Sequence, residues 1–129
     1  MDLFNYTSDL AAKPIDVVIK HPVTGKDTDI IVSVVGVDSP VAQNCLDDQQ
    51  IKRFDEMTAG AEAKYDPVKQ REDVIALLVA CTVGWKNIEW QGDTLPFNKE
   101  NAALVYDKVP TIRDQVNRAI GARKNFFKD

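Results

Sequence analysis

A single change of hydrophobic periodicity, at Asp38, most limits what this chain can fold into. Over residues 14–37 the pattern alternates as in strands. Ile15, Val17 and Ile19 interleave with Asp16, Val18 and Lys20, and residues 28–37 are dense in Ile and Val. Between the two runs, Pro22 and Gly25 stand at turn positions, so the pair reads as an antiparallel β-hairpin. A lone hairpin is marginal in water, so one face must be buried on the rest of the chain. Its edge around residues 28–35 is a candidate for pairing with a second chain.

Beyond Asp38 the signals are helical. Ser39 and Pro40 form an N-cap followed by proline at the first helical position, opening a helix to about Thr58 with Ala42, Leu46, Phe54 and Met57 as a ragged apolar stripe. Residues 60–65 read as a loop or a frayed turn. Asp66 and Pro67 repeat the cap, and a helix over 68–83 comes next in which Ile75, Leu77, Leu78, Val79, Ala80 and Cys81 are nearly all apolar, which makes it the expected centre of the core. Asn98 caps a short helix through Ala102, Ala103, Leu104, Val105 and Tyr106 that stops before Pro110. A last helix from Pro110 carries Ile112, Val116, Ala119, Ile120 and Phe127. The fold class is therefore α+β and mainly α-helical: one domain over residues 1–129, with a hairpin over 14–37 packed on about four helices over 39–127.

Residues 84–98 hold both tryptophans, two glycines and a proline, and read as an ordered aromatic loop between helices. So much aromatic surface needs cover, from the chain's own core or from a partner. Trp85 and Phe97 adjoin helices and belong with the core. Trp90, between Glu89 and Gln91 and near Gly92, is the better surface candidate.

Charge and composition exclude several function classes. A net charge of −4 repels phosphate backbones and anionic lipid, and the cations that could form a basic patch, Arg113, Arg118, Arg123, Lys124 and Lys128, alternate with apolar and acidic positions as on a solvated helix face. Nucleic acid is not an expected partner. The densest apolar run, 74–83, is about half the length of a membrane span. The first residues lack a basic stretch followed by an apolar one, so no secretory signal is expected. Cys45 and Cys81 lie far apart without CxxC spacing, and with His21 the lone histidine a zinc site is not expected. Both cysteines read as small buried hydrophobes on helices, which suits a reducing compartment.

Catalytic signals are thin. The acidic pairs Asp47 and Asp48, Asp55 and Glu56, and Glu72 and Asp73 read as solvated helix charges. The glycines are scattered singly, with no phosphate-binding loop or nucleophile elbow. An enzyme would need a pocket joining His21 to a cysteine or a carboxylate. The expectation is a non-enzyme with no cofactor, no metal and no catalytic residues.

Val83, Gly84 and Trp85, then Gly92, Leu95, Pro96, Phe97 and Asn98, Asn101, Pro110, Ile112, Gln115 and Val116, and a closing Arg123 to Phe127 resemble the C-terminal half of tail assembly chaperones from long-tailed, siphovirus-type bacteriophages. Upstream, His21 to Gly25 in a hairpin and Asp38 and Ser39 opening the first helix are similar to the same small tail proteins. The resemblance implies a late viral morphogenesis protein of the host cytoplasm, absent from the mature virion. Such a protein binds the aggregation-prone tape measure protein, self-associates, and brings tail tube protein through a longer, frameshifted form. This chain would be the shorter, unshifted product. The alternative is a minor tail or head–tail joining protein retained in the virion.

A chaperone of this kind needs apolar surface on an acidic body. Trp90, Ile88, Leu95, Phe126 and Phe127 are the candidate partner-binding residues, with Trp85 and Phe97 beside them. Self-association could use the two terminal phenylalanines or the hairpin edge.

Overall fold

The computed structural model of the chain describes residues 2–58 and 66–127. The reading of 60–65 as a loop or frayed turn lies outside the described residues, as do Lys128 and Asp129. A 3-10 turn, Leu3–Tyr6, and a short helix, α1 (Ser8–Ala11), lead into strands β1 (Ile15–Lys20) and β2 (Asp27–Val34). Helices α2 (Pro40–Thr58) and α3 (Pro67–Cys81) come next, then β3 (Thr82–Lys86) and the small strands β4 (Glu89–Trp90) and β5 (Asp93–Thr94). Helices α4 (Lys99–Lys108) and α5 (Pro110–Gly121) and a 3-10 turn, Arg123–Asn125, are the last elements among the described residues.

The architecture is α+β. The expected hairpin is present, with Ile15 opposite Val34 and Val17 opposite Val32. Its turn closes through the His21 amide donating to the Lys26 carbonyl at 2.8 Å, with Gly25 at a φ of 71° that a side chain would disfavour. Ile15, Val17 and Ile19 face the core side, while Asp16, Val18 and Lys20 are exposed.

The sheet has a third strand. β3 pairs antiparallel with β2, Val32 opposite Trp85 and Ser33 opposite Gly84, so the order is β1-β2-β3. This overturns two expectations. The edge around residues 28–35 is not open to a second chain, because β2 is the central strand. The helix expected to reach Val83 ends at Cys81, since Thr82 turns to an extended conformation (φ −85°, ψ 129°) while its amide still caps the Leu78 and Val79 carbonyls. β-branched Thr82 and Val83 and aromatic Trp85 suit a strand, and β2 offers unpaired backbone groups that a helix would leave unsatisfied. The register shifts between Ser33 and Val34, and Val83, left unpaired opposite that step, is exposed.

All three expected helix caps form. Ser39 Oγ accepts from the Ala42 amide at 3.4 Å while donating to the Gly36 carbonyl. Asp66 accepts from the Val68 and Lys69 amides at 3.0 and 3.4 Å, and Asn98 from the Asn101 amide at 2.7 Å.

The core lies between one face of the sheet and α3, α4 and α5. Val32 and Val34 from β2 meet Leu78 and Cys81 of α3, Val105 and Tyr106 of α4, and Val116 and Ile120 of α5. α3 touches α2, α4 and α5, yet of its side chains Leu78 and Cys81 are fully buried, while Ile75, Leu77 and Val79 are half-buried. Tyr106 donates to Thr82 Oγ1 at 2.6 Å, and Thr82 Oγ1 donates on to the Leu78 carbonyl, so the buried hydroxyls are satisfied.

The last helix also stops earlier than its pattern implies. α5 ends at Gly121, Ala122 is extended, and the chain turns so that Phe126 returns to the core against Gly36. A β-carbon on Gly36 would stand 3.0 Å from the Phe126 ring, tighter than side chains ordinarily pack, so a larger residue there would push the ring back. The other edge of the sheet is partly closed. Gln115 of α5 accepts from the Lys20 amide at 2.8 Å and donates to the Lys20 carbonyl at 3.0 Å.

Candidate protein-binding surface

The aromatic segment is a folded hairpin, not a loop. Asn87 and Gln91 take positive φ angles of 66° and 52°, and Gly92 one of 90°. Gln91 and Gly92 thus form the two-residue turn that joins β4 to β5, with Trp90 opposite Asp93 and the Leu95 amide bonded to the Ile88 carbonyl at 2.9 Å. Asn87 ties the hairpin to β2 by donating to the Asp29 carbonyl at 2.8 Å.

This hairpin turns most of its apolar side chains inward. Ile88 is 4% exposed and belongs to the core, which removes it from the partner-binding candidates. Leu95 packs half-buried on that core. Trp85 and Phe97 meet edge to face at 5.1 Å, and Trp85 Nε1 donates to the Leu95 carbonyl at 2.9 Å, so both serve as cover for the protein's own interior. Trp90 is half-buried and is not among the side chains packed on the core.

The terminal phenylalanines divide as well. Phe126, 9% exposed, fills the space above Gly36 and is corrected from surface to core. Phe127 is half-buried and meets Tyr6 edge to face at 5.9 Å.

Apolar surface is exposed in places the sequence did not single out. Ile75, Ala76, Val79 and Ala80 of α3 and Ala103 and Leu104 of α4 form the floor of an open groove of about 790 Å³, rimmed by Glu72, Lys99, Glu100 and Asp107. The spacing explains it: 72, 75, 76, 79 and 80 share one face of α3, and 100, 103, 104 and 107 share one face of α4. Each helix is apolar on two faces, one turned to the core and one lining the groove, where Ile75 and Val79 are half-buried and also touch the core. A second exposed stripe, Ile51, Phe54 and Met57, lies on the far half of α2, where the side chains are 60%, 65% and 60% exposed. α2 is held to α3 near its middle by Gln49 donating to the Asp73 carbonyl and by an Arg53–Asp73 ion pair at 2.6 Å. Ile51, Phe54 and Met57 are not among the described side chains packed on the core.

The chemical groups are occupied structurally. Burial holds the Cys81 thiol up at about 11, with Cys45 adding to it, and the Cys45 thiol is also raised, first by burial and then by Asp48 and Asp73. Both are poor nucleophiles at neutral pH. Burial likewise pushes the Tyr106 hydroxyl up to about 12, against the Thr82 hydrogen bond that lowers it. His21 and Asp114 line one open hollow of about 620 Å³ together with Lys20, Gln115, Arg118 and Lys124. No hydrogen bond joins His21 to Asp114. Instead His21 Nδ1 accepts from the Val23 and Thr24 amides at 3.1 and 3.2 Å, an anchor for the turn. Asp73 is engaged by Arg53, Arg113 donates to the Tyr106 carbonyl, and Arg123 forks onto Asp38 at 2.6 and 3.0 Å. Among the described residues no group of three or more His, Cys, Asp or Glu could hold a metal, and no helix is long and apolar enough to cross a membrane.

No protein family, curated protein or solved structure matches the chain.

Proposed function

We propose that this chain is a non-enzymatic tail assembly chaperone of long-tailed bacteriophages, working in the host cytoplasm by binding the tape measure protein and by self-association. Tail tube protein would be recruited through a longer, frameshifted form. The observation that carries the reading is the apolar surface left uncovered on helices of an acidic chain, above all the α3–α4 groove. A folded monomer does not gain from contiguous exposed aliphatic surface, and such surface marks a partner site. A tape measure protein is long, helical and apolar-striped, and helix-in-groove docking would cover both surfaces. The net negative charge keeps the uncomplexed chain dispersed. Trp90 and Phe127, half-exposed and off the central core cluster or at its margin, are proposed as secondary contacts.

Co-expression with the tape measure protein is the test. The proposal expects the tape measure protein to stay soluble and to co-purify; a tape measure protein that aggregates equally with and without this chain contradicts it. Mass spectrometry of purified particles separates a chaperone, absent from them, from a retained tail or head–tail joining component.

A further inference from the structure

We infer that the α3–α4 groove takes one amphipathic helix whose apolar stripe is flanked by lysine and arginine. This deepens the chaperone reading and rests on it for the identity of the helix's owner. Three observations set the occupant. The floor is built from aliphatic side chains, three of them alanines (Ala76, Ala80 and Ala103), which let a partner backbone approach closely. From Glu72 to Ala80 the floor runs along α3 for about 12 Å, or roughly two helical turns, the length over which a docked helix presents apolar side chains at i, i+3 or i+4, and i+7. The rim is acidic on both sides. Glu72 stands on the α3 side and Glu100 and Asp107 on the α4 side, against Lys99 alone.

Those carboxylates are available. Glu72 and Glu100 make no ion pair among the described residues, and Asp107 has one loose contact, 3.8 Å from its neighbour Lys108. Cations along both flanks of an incoming helix would meet them, accelerating encounter and making the affinity dependent on salt. The exposed α2 stripe of a second copy is a poorer match. Its flanks hold Lys52 and Arg53 but also Asp55 and Glu56, so the signs cancel.

Two synthetic helical peptides of about 20 residues, long enough to hold a helix, test this: both carry the same leucine stripe, one flanked by Lys and Arg and the other by Glu. Fluorescence anisotropy with the full chain should show the basic peptide binding at least about ten-fold tighter at low salt, with the gap closing as salt rises. Ala76→Arg, at an exposed floor position with good helix propensity, should abolish that binding while leaving the thermal melt in place. A Glu72→Gln, Asp107→Asn double variant, which keeps the shape, should narrow the preference. Equal affinity for the two peptides, no binding of either, or binding unchanged by Ala76→Arg overturns the inference. A change in sedimentation mass on Ala76→Arg also overturns it, because the occupant would then be a second copy. Tape measure co-purification run in parallel keeps the two claims apart. If the tape measure protein is held but the peptides are not distinguished, the groove inference falls and the chaperone survives; the opposite pair of results sinks the chaperone and keeps the groove.

Discussion

Within this one chain, residues 88–97 bury Ile88 in the core and rest Leu95 and Phe97, half-buried, against it, whereas the α3–α4 face leaves Ala76 exposed and Ala80, Ala103 and Leu104 half-exposed and outside the core cluster. The difference comes from what each can do alone. Trp85 reaches across to the Leu95 carbonyl with its ring nitrogen and meets Phe97 edge to face, so the hairpin satisfies its own polar and apolar demands. Ala76, Ala80 and Ala103 are not among the described side chains packed on the core. Where the outer faces of α3 and α4 adjoin, alanines stand among Ile75, Val79 and Leu104, and their short side chains leave an open trough. The conspicuous aromatics are thus largely accounted for by the protein's own interior, while the uncovered apolar surface lies on small residues outside the core cluster.

The contrast can be broken most forcefully at Ile88. Truncation to alanine should cost about 3 kcal/mol of unfolding free energy, measured by urea denaturation, because the side chain is core. A loss below about 0.5 kcal/mol would return Ile88 to the surface candidates.

Alkali probes the buried side of the same two helices that form the groove. The folded values of Cys81 and Tyr106 are raised, to about 11 and about 12, from 9.0 and 10.0. Folding therefore favours their protonated forms. Their contribution is fully present below about pH 9, and is lost as pH climbs toward 12 and the unfolded chain ionises first. Tyr106→Phe should flatten the part of that decline above pH 10. A decline identical in wild type and variant would show that Tyr106 does not titrate as a buried group.

A smaller effect is expected from Trp85→Phe, which keeps a smaller aromatic ring at the site but removes the donor to Leu95; about 1 kcal/mol of stability should go with that hydrogen bond. Smallest of all, Ala76→Arg and Trp90→Ala should each shift stability by no more than about 0.5 kcal/mol, since neither side chain packs on the core. A larger loss at position 76 would mean that the groove floor is structural.

Local chemistry was legible where one short stretch contains the whole cause. The β1–β2 hairpin arises from alternation and a Pro-Gly turn, and the caps at Ser39, Asp66 and Asn98 need only their own next residues. Ile112, Val116 and Ile120 point inward as their spacing implies. Long-range causes were hidden. Whether residues 82–86 extend a helix or become a strand depends on the vacant side of β2, nearly fifty residues earlier, and a continuous apolar run fits both. Phe126 returns to the core because Gly36 leaves room for its ring, a match between residues far apart in the sequence. The Gln91-Gly92 turn was the missed local sign, a two-residue hairpin signature inside what read as a loop. The groove left a fainter one: Ala103 and Leu104 lie on the face of α4 opposite to Val105 and Tyr106, an apolar second face that a self-contained helix would fill with polar residues.

Site-specific photo-crosslinking during co-expression with the tape measure protein tests the central claim most directly, with the photoreactive residue placed at position 76 in the groove or at position 54 on the α2 stripe. A covalent adduct from position 76 is the predicted result. An adduct from position 54 with none from position 76 would contradict it.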